Sequence, residues 1–80
     1  MLKLYDHPLS GNSYKVRLTL SHLGVEYERI NVDIFNGEQN SPEFSALNPN
    51  RKIPVIVDGD FVMWESNAIP LYLGKKYSPN

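Results

Sequence analysis

The sequence predicts an α/β domain, a four-stranded mixed sheet flanked by helices in the order β-α-β-α-β-β-α. Three observations lead there. Two short alternating segments, residues 2–5 and 27–32, bracket a stretch with helical spacing at 13–23. Two apolar runs, 54–57 and 61–64, are joined by Asp58-Gly59-Asp60, the turn chemistry of an antiparallel hairpin. The chain has 80 residues, enough for one small core that buries about 60% of the unfolded surface.

The elements follow in order. Leu2-Lys3-Leu4-Tyr5 alternates and reads as a strand. His7-Pro8-Leu9-Ser10-Gly11-Asn12 is turn chemistry, with a proline, a glycine and small polar residues. From Ser13 the pattern turns helical, with Val16, Leu20 and Leu23 on one stripe and Tyr14 and Leu18 on a second. Gly24 closes that helix. A second strand runs over 27–32, and 33–40 is irregular, polar and poorly anchored. Ser41 caps a short helix, Pro42 takes its first position, and it runs through Leu47 to the stop Asn48-Pro49-Asn50. After the hairpin, Ser66 caps a last helix through Lys76, apolar around more than half its circumference at Ala68, Ile69, Leu71, Tyr72 and Leu73. A helix between the first two strands sets them parallel through a right-handed crossover. This is the element order of a thioredoxin-like domain. Residues 78–80 read as a linker or a truncation point.

Composition excludes several functions. Without cysteine, the chain offers no disulfide framework, zinc knuckle or dithiol, and a glutaredoxin-type oxidoreductase lacks its nucleophile. The formal net charge of −1 leaves no electrostatic footprint for nucleic acid. No apolar run reaches the length of a membrane span, and the start, MLKLYDH, is not a signal peptide. The expectation is a soluble, cytoplasmic domain. His7 and His22 form no metal pair with a nearby ligand, so no metal site is expected.

Three features carry a resemblance: Ser10 in the first turn, the run NPNRKIPVI from Asn48 to Ile56, and ESNAI from Glu65 to Ile69. Together they resemble the glutathione-binding N-terminal domain of cytosolic glutathione transferases, in the style of the serine-type classes (theta, zeta and related bacterial enzymes). The resemblance covers essentially all of residues 1–80. Arg51 departs from it, since the family usually has glycine there. The family also carries a helical C-terminal domain, which is expected to be absent from this chain.

The resemblance gives the residues roles that physical chemistry supports. Glutathione is an extended peptide, and an extended peptide can pair with a strand edge. The resemblance implies that Pro54 is cis and that the Ile53 backbone pairs with the cysteinyl unit. The start of a helix favours a carboxylate, and the resemblance brings the γ-glutamyl carboxylate to Ser66. Glu65 then meets the γ-glutamyl ammonium, and Lys52 meets the glycyl carboxylate, with Gln39 or Asn40 reaching the same end. Taken singly, Ser66 is also a plain helix cap, Glu65 a solvated acid, Lys52 a surface lysine and Pro54 a trans proline opening an edge strand.

Ser10 is the catalytic candidate by the same resemblance, with Asn12 assisting. A free cysteine thiol has a pKa of about 8.5, so little is ionised at neutral pH. A hydroxyl donating to the thiolate contributes roughly 1.5–3 kcal/mol, which makes the thiol about ten- to a hundredfold more acidic. Ser13 is the rival, read instead as the cap of the first helix; Tyr5, which some classes use, is read as core.

The resulting expectation is a transferase domain that activates glutathione as co-substrate for attack on a small electrophile. The alternative is a non-catalytic binding or interaction module on the same fold. The second stripe of helix one and the outer face of the last helix, Tyr14, Leu18, Leu71 and Tyr72, are expected to meet the missing helical domain. The full-length form is expected to be a homodimer.

Overall fold

A computed structural model describes residues 2–78. Its elements are β1 (Leu2–Asp6), α1 (Gly11–Leu23), β2 (Tyr27–Asn31), α2 (Pro42–Leu47), β3 (Val55–Asp58), β4 (Phe61–Met63) and α3 (Ala68–Tyr77). The strands lie in the order β2-β1-β3-β4. β1 and β2 are parallel, whereas β1 with β3 and β3 with β4 are antiparallel. The expected four-stranded mixed sheet is therefore present. Pro79 and Asn80, from the expected linker, lie outside the described residues.

Strand alternation divides the core into two layers. Leu2, Leu4 and Ile56 face α1 and α3 and pack with Val16, Leu20, Ile69 and Leu73. Each of these buried aliphatic side chains contributes roughly 1.5–3 kcal/mol relative to exposure. On the other face Val55 packs with Val32 and Phe44, with Tyr5, Ile53 and Leu47 partly buried around them. Tyr5 thus belongs to the α2 face of the sheet, half-buried beside the Phe44 ring.

Gly24 ends α1 with φ 67°, in the left-handed region where glycine lacks a Cβ penalty. Its N–H and that of Val25 return to the carbonyl of Leu20. Gly59 has φ 62° at the first central position of the two-residue turn between β3 and β4, which is where a type II′ hairpin turn requires glycine.

Several expectations change. Val32 lies just beyond β2, although its N–H still bonds the Asp6 carbonyl at 2.7 Å. Residues 33–40 are not a loose loop. They form two 3-10 turns, Ile34–Asn36 and Glu38–Asn40. Asp33 organises them, accepting from the Asn36 backbone at 3.3 Å and its amide at 2.6 Å while its own N–H donates to Glu38 Oε1 at 3.1 Å.

Tyr72 does not join an unpartnered strip. Its ring stacks on Phe61 at 4.7 Å, and its hydroxyl donates to Asp58 at 2.8 Å. Asp58 Oδ2 also accepts from Tyr77 at 2.8 Å and from Lys76 Nζ at 2.7 Å. The hairpin turn is thereby fastened to the end of α3. The Lys76 ammonium, outweighing partial burial, holds the Asp58 carboxyl below its ordinary value of 3.8. A depressed carboxylate stabilises the fold above its unfolded value and stops doing so as pH falls through the folded one. Asp58→Asn should therefore lower the unfolding midpoint at pH 7. The gap to wild type should close as pH falls below 3.8, as read by denaturant unfolding across pH. A gap that is constant through the acid range would refute the role given to this carboxylate.

Candidate functional site

Strand pairing alone gathers the candidate residues. β1 and β2 run parallel, so the segments after Asp6 and after Asn31 leave at the same end of the sheet. β3 runs antiparallel to β1, with Tyr5 opposite Val55, so Ile53 and Pro54 enter at that end. β4 runs antiparallel to β3, with Ile56 opposite Met63, so Glu65 and Ser66 exit there too. Lys15 Nζ, at 3.5 Å from Asn67 Oδ1, links the beginning of α1 to that of α3. Ser10, Asn12, Lys52, Ile53, Pro54, Glu65 and Ser66 thus share one end of the sheet, and Gln39 lies in the second 3-10 turn of the segment that leaves β2 there.

The turn that carries Ser10 is fixed by Asp6. Asp6 is fully buried and accepts from Arg17 at 2.6 Å and from Arg29 at 2.8 Å. Arg17 extends to the carbonyls of His7 at 3.4 Å and Pro8 at 3.5 Å. His7 Nδ1 accepts from the Leu9 N–H at 3.1 Å, so a neutral ring carries its proton on Nε2. The His7 carbonyl accepts from Ser10 at 3.0 Å, and the ring packs edge-on to Phe35 at 5.1 Å. Sequence reasoning missed Asp6, His7 and Arg17. An acid at a strand end next to a His-Pro turn reads as an exposed turn residue, and the arginines that pair with it are distant in sequence.

The cap of α1 is Ser10, not Ser13. Ser10 has extended backbone angles, and its Oγ accepts the Ser13 N–H at 3.2 Å. That bond uses the oxygen and leaves the hydroxyl hydrogen available to an acceptor outside the helix. Ser13 lies one turn inside, fully buried, and its Oγ has no partner. Both serines suit a cap; the helix begins at Gly11, and that makes Ser10 the cap.

Ser66 is likewise not the cap of α3. That helix begins at Ala68. Glu65 serves its first turn: its carbonyl accepts from Ala68 at 3.0 Å and Ile69 at 2.9 Å, and its Oε1 accepts from Asn67 at 3.2 Å. Neither the N–H nor the hydroxyl of Ser66 has a partner among the described residues.

The Ile53–Pro54 bond is cis. The Ile53 N–H and C=O also lack partners among the described residues, leaving one open stretch of backbone just before β3. Buried Asn48 shapes the approach to it. Its Nδ2 donates to the Lys52 carbonyl at 2.8 Å, its Oδ1 accepts from Asn50 at 2.9 Å, and its carbonyl accepts from Arg51 at 2.9 Å. Asn-Pro was legible as a helix stop, but not as this clamp. Lys52 and Asn12 are exposed, and Gln39 is half-buried with Oε1 unpaired. Among the described residues no group of three or more acidic or histidine side chains could hold a metal ion.

Beside the site, on the helical face, Tyr14, Leu18 and Leu71 are 56%, 44% and 70% exposed. Among the described residues no helix is long and apolar enough to cross a membrane.

Comparison with known proteins bears on the family and the fold. The profile of the family described as "Glutathione S-transferase, N-terminal domain" covers residues 1–75. Glutathione S-transferase 3 of Zea mays is 46% identical over 77 residues, which is 96% of this chain and 35% of that protein. Protein URE2 of Eremothecium gossypii is 40% identical over 77 residues, 92% of this chain and 22% of that protein. Glutathione transferase E6 from Drosophila melanogaster superposes with a TM-score of 0.97 at 39% identity, covering 100% of this chain and 36% of that one. A glutathione transferase homolog from Drosophila mojavensis, solved with bound glutathione, gives 0.97 at 35% identity, covering 99% and 36%. The chain spans about a third or less of the length of these proteins.

Arg51 has φ 57°, the one non-glycine residue with positive φ among those described. This explains a preference for glycine there, since the left-handed conformation costs an L-residue roughly 1–2 kcal/mol. Arg51→Gly relieves that strain and adds chain entropy to the unfolded state, roughly 0.4–1 kcal/mol in the other direction. The expected result in urea unfolding is a gain of up to about 1.5 kcal/mol for Arg51→Gly. Arg51→Val, β-branched at positive φ, should lose at least as much. Equal stabilities for the two variants would contradict the assignment.

Proposed function

The chain belongs to the glutathione S-transferase family as an N-terminal domain, and on that premise we propose that it binds glutathione across this sheet end and activates its thiol. The observation that carries the proposal is the state of Ser10. Its oxygen is engaged by the Ser13 N–H and its hydrogen is free, at the positive end of a 13-residue helix. A thiolate beside it gains one charge-assisted hydrogen bond and a favourable dipole. Ser10 is a donor here; the nucleophile is the glutathione sulfur, whose proton leaves to water before it attacks an electrophilic carbon.

The rest of the tripeptide has matching partners. The unpaired Ile53 backbone suits the cysteinyl unit. Ser66, not engaged as a cap, offers an N–H and a hydroxyl to the γ-glutamyl carboxylate. Glu65 faces the γ-glutamyl ammonium with the oxygen that Asn67 leaves free. Lys52, with Gln39, takes the glycyl carboxylate, and Asn12 assists Ser10. A helical domain would cover Tyr14, Leu18 and Leu71 and build the wall for the electrophile. Homodimer formation by the longer protein and a cytoplasmic location go with this reading. The second reading, a binding module without turnover, is favoured by the 40% identity to a relative not named as a transferase.

The test is the ionisation of bound glutathione, followed by thiolate absorbance against pH. Ser10→Ala should make the bound thiol about ten- to a hundredfold less acidic, with glutathione affinity changed much less. It should also lose about 1 kcal/mol of helix capping. Ser13→Ala should leave the titration unchanged. A titration that moves in Ser13→Ala and stays put in Ser10→Ala would overturn the assignment.

A further inference from the structure

A groove of about 470 Å³ lies on the opposite face of the sheet from α1 and α3. Strand alternation puts it there: Tyr5 points away from Leu4 and the α1 layer, and register sets Ile30 beside it. Its walls are apolar, with Tyr5 and Ile30 from the sheet and Phe44 and Leu47 from α2. Two carboxylates, Glu38 and Glu43, stand among the lining residues, and no lysine, arginine or histidine does. Glu43 forms no ion pair or side-chain hydrogen bond among the described residues. Glu38 spends one oxygen on the Asp33 N–H and keeps the other free. The groove has the size of a small-molecule site.

We propose that this groove is a second small-molecule site, for an organic cation that carries a single ammonium on an aromatic or aliphatic body. The apolar walls take the body. The Glu43 carboxylate and the free oxygen of Glu38 take the charge, and with no cation among the lining residues they repel an anion of the same shape. Neither Ser10 nor the open Ile53 backbone lines the groove, so occupancy need not compete with ligands at the sheet end. A domain covering Tyr14, Leu18 and Leu71 on the far face would leave it open.

Amide chemical shifts of the chain at neutral pH decide the matter, with phenethylammonium, phenethyl alcohol and phenylpropionate as probes. The ammonium should shift Ile30, Glu43 and Phe44 and bind about fivefold more tightly than the alcohol, equivalent to roughly 1 kcal/mol for a solvent-exposed charge pair. The carboxylate should bind most weakly. Glu43→Gln, an exposed change that leaves the core intact, should reduce the ammonium towards the alcohol and leave the alcohol unchanged. Equal binding of the three probes, shifts confined to other residues, or no shifts at millimolar probe would overturn the proposal. So would the same amides shifting when the chain alone is concentrated, since a second copy would then fill the groove.

Discussion

The buried carboxylate of Asp6 is the constraint on which the end of the sheet that holds the candidate site depends. It sits at the last position of β1 with no exposure to water and is satisfied by two guanidinium groups, one from α1 and one from β2. Removing one partner from a buried ion pair costs about 3–5 kcal/mol, because the remaining charge stays buried without compensation. Arg17 carries more of this than Arg29, whose side chain is 43% exposed and better served by solvent. One side chain therefore joins three elements where the central strand ends.

The consequences of this pairing are positional. Arg17 also reaches the carbonyls of the His-Pro turn, so the charge pair and the conformation of the turn are set together. The turn ends at Ser10, whose oxygen closes the first turn of α1. Through the His7–Phe35 ring contact the same turn touches the segment after β2. Strand directions bring the Ile53 backbone and the start of α3 to the same end. A hydroxyl donor, an open backbone edge and a free N–H thus sit in short segments that directly adjoin α1, β3 and α3, and on the proposed reading this anchoring lowers the entropy that a peptide ligand must overcome on binding.

The sequence made most of this fold legible, because its signals are local. Period-two and period-3.6 patterns, Ser41-Pro42, Gly24 and Asp-Gly-Asp each act over a few residues, and the elements they mark are present. What stayed hidden depends on which of two similar groups wins a contact, or on partners far apart in the chain. Ser10 and Ser13 carry the same hydroxyl, and only the true start of the helix separates cap from core. Ser66 read as a cap because nothing local shows that Glu65 can serve the first turn with both its carbonyl and its carboxylate. Tyr72 looked like part of an exposed strip until Asp58 and Phe61, from the hairpin, were brought beneath it. Asp6 pairs with residues 11 and 23 positions away, a pairing that no periodicity records.

The central claim is that four separate segments make one glutathione site at a single sheet end. Its most direct test is a titration of the isotope-labelled chain with reduced glutathione, with every backbone amide monitored. A single saturable set of shifts is expected at Ser10, Gln39, Ile53, Glu65 and Ser66, all fitting one dissociation constant, with the opposite sheet end around Gly24 and Gly59 silent. Shifts limited to one segment, segments that saturate at different concentrations, or a response centred at the hairpin turn would contradict it.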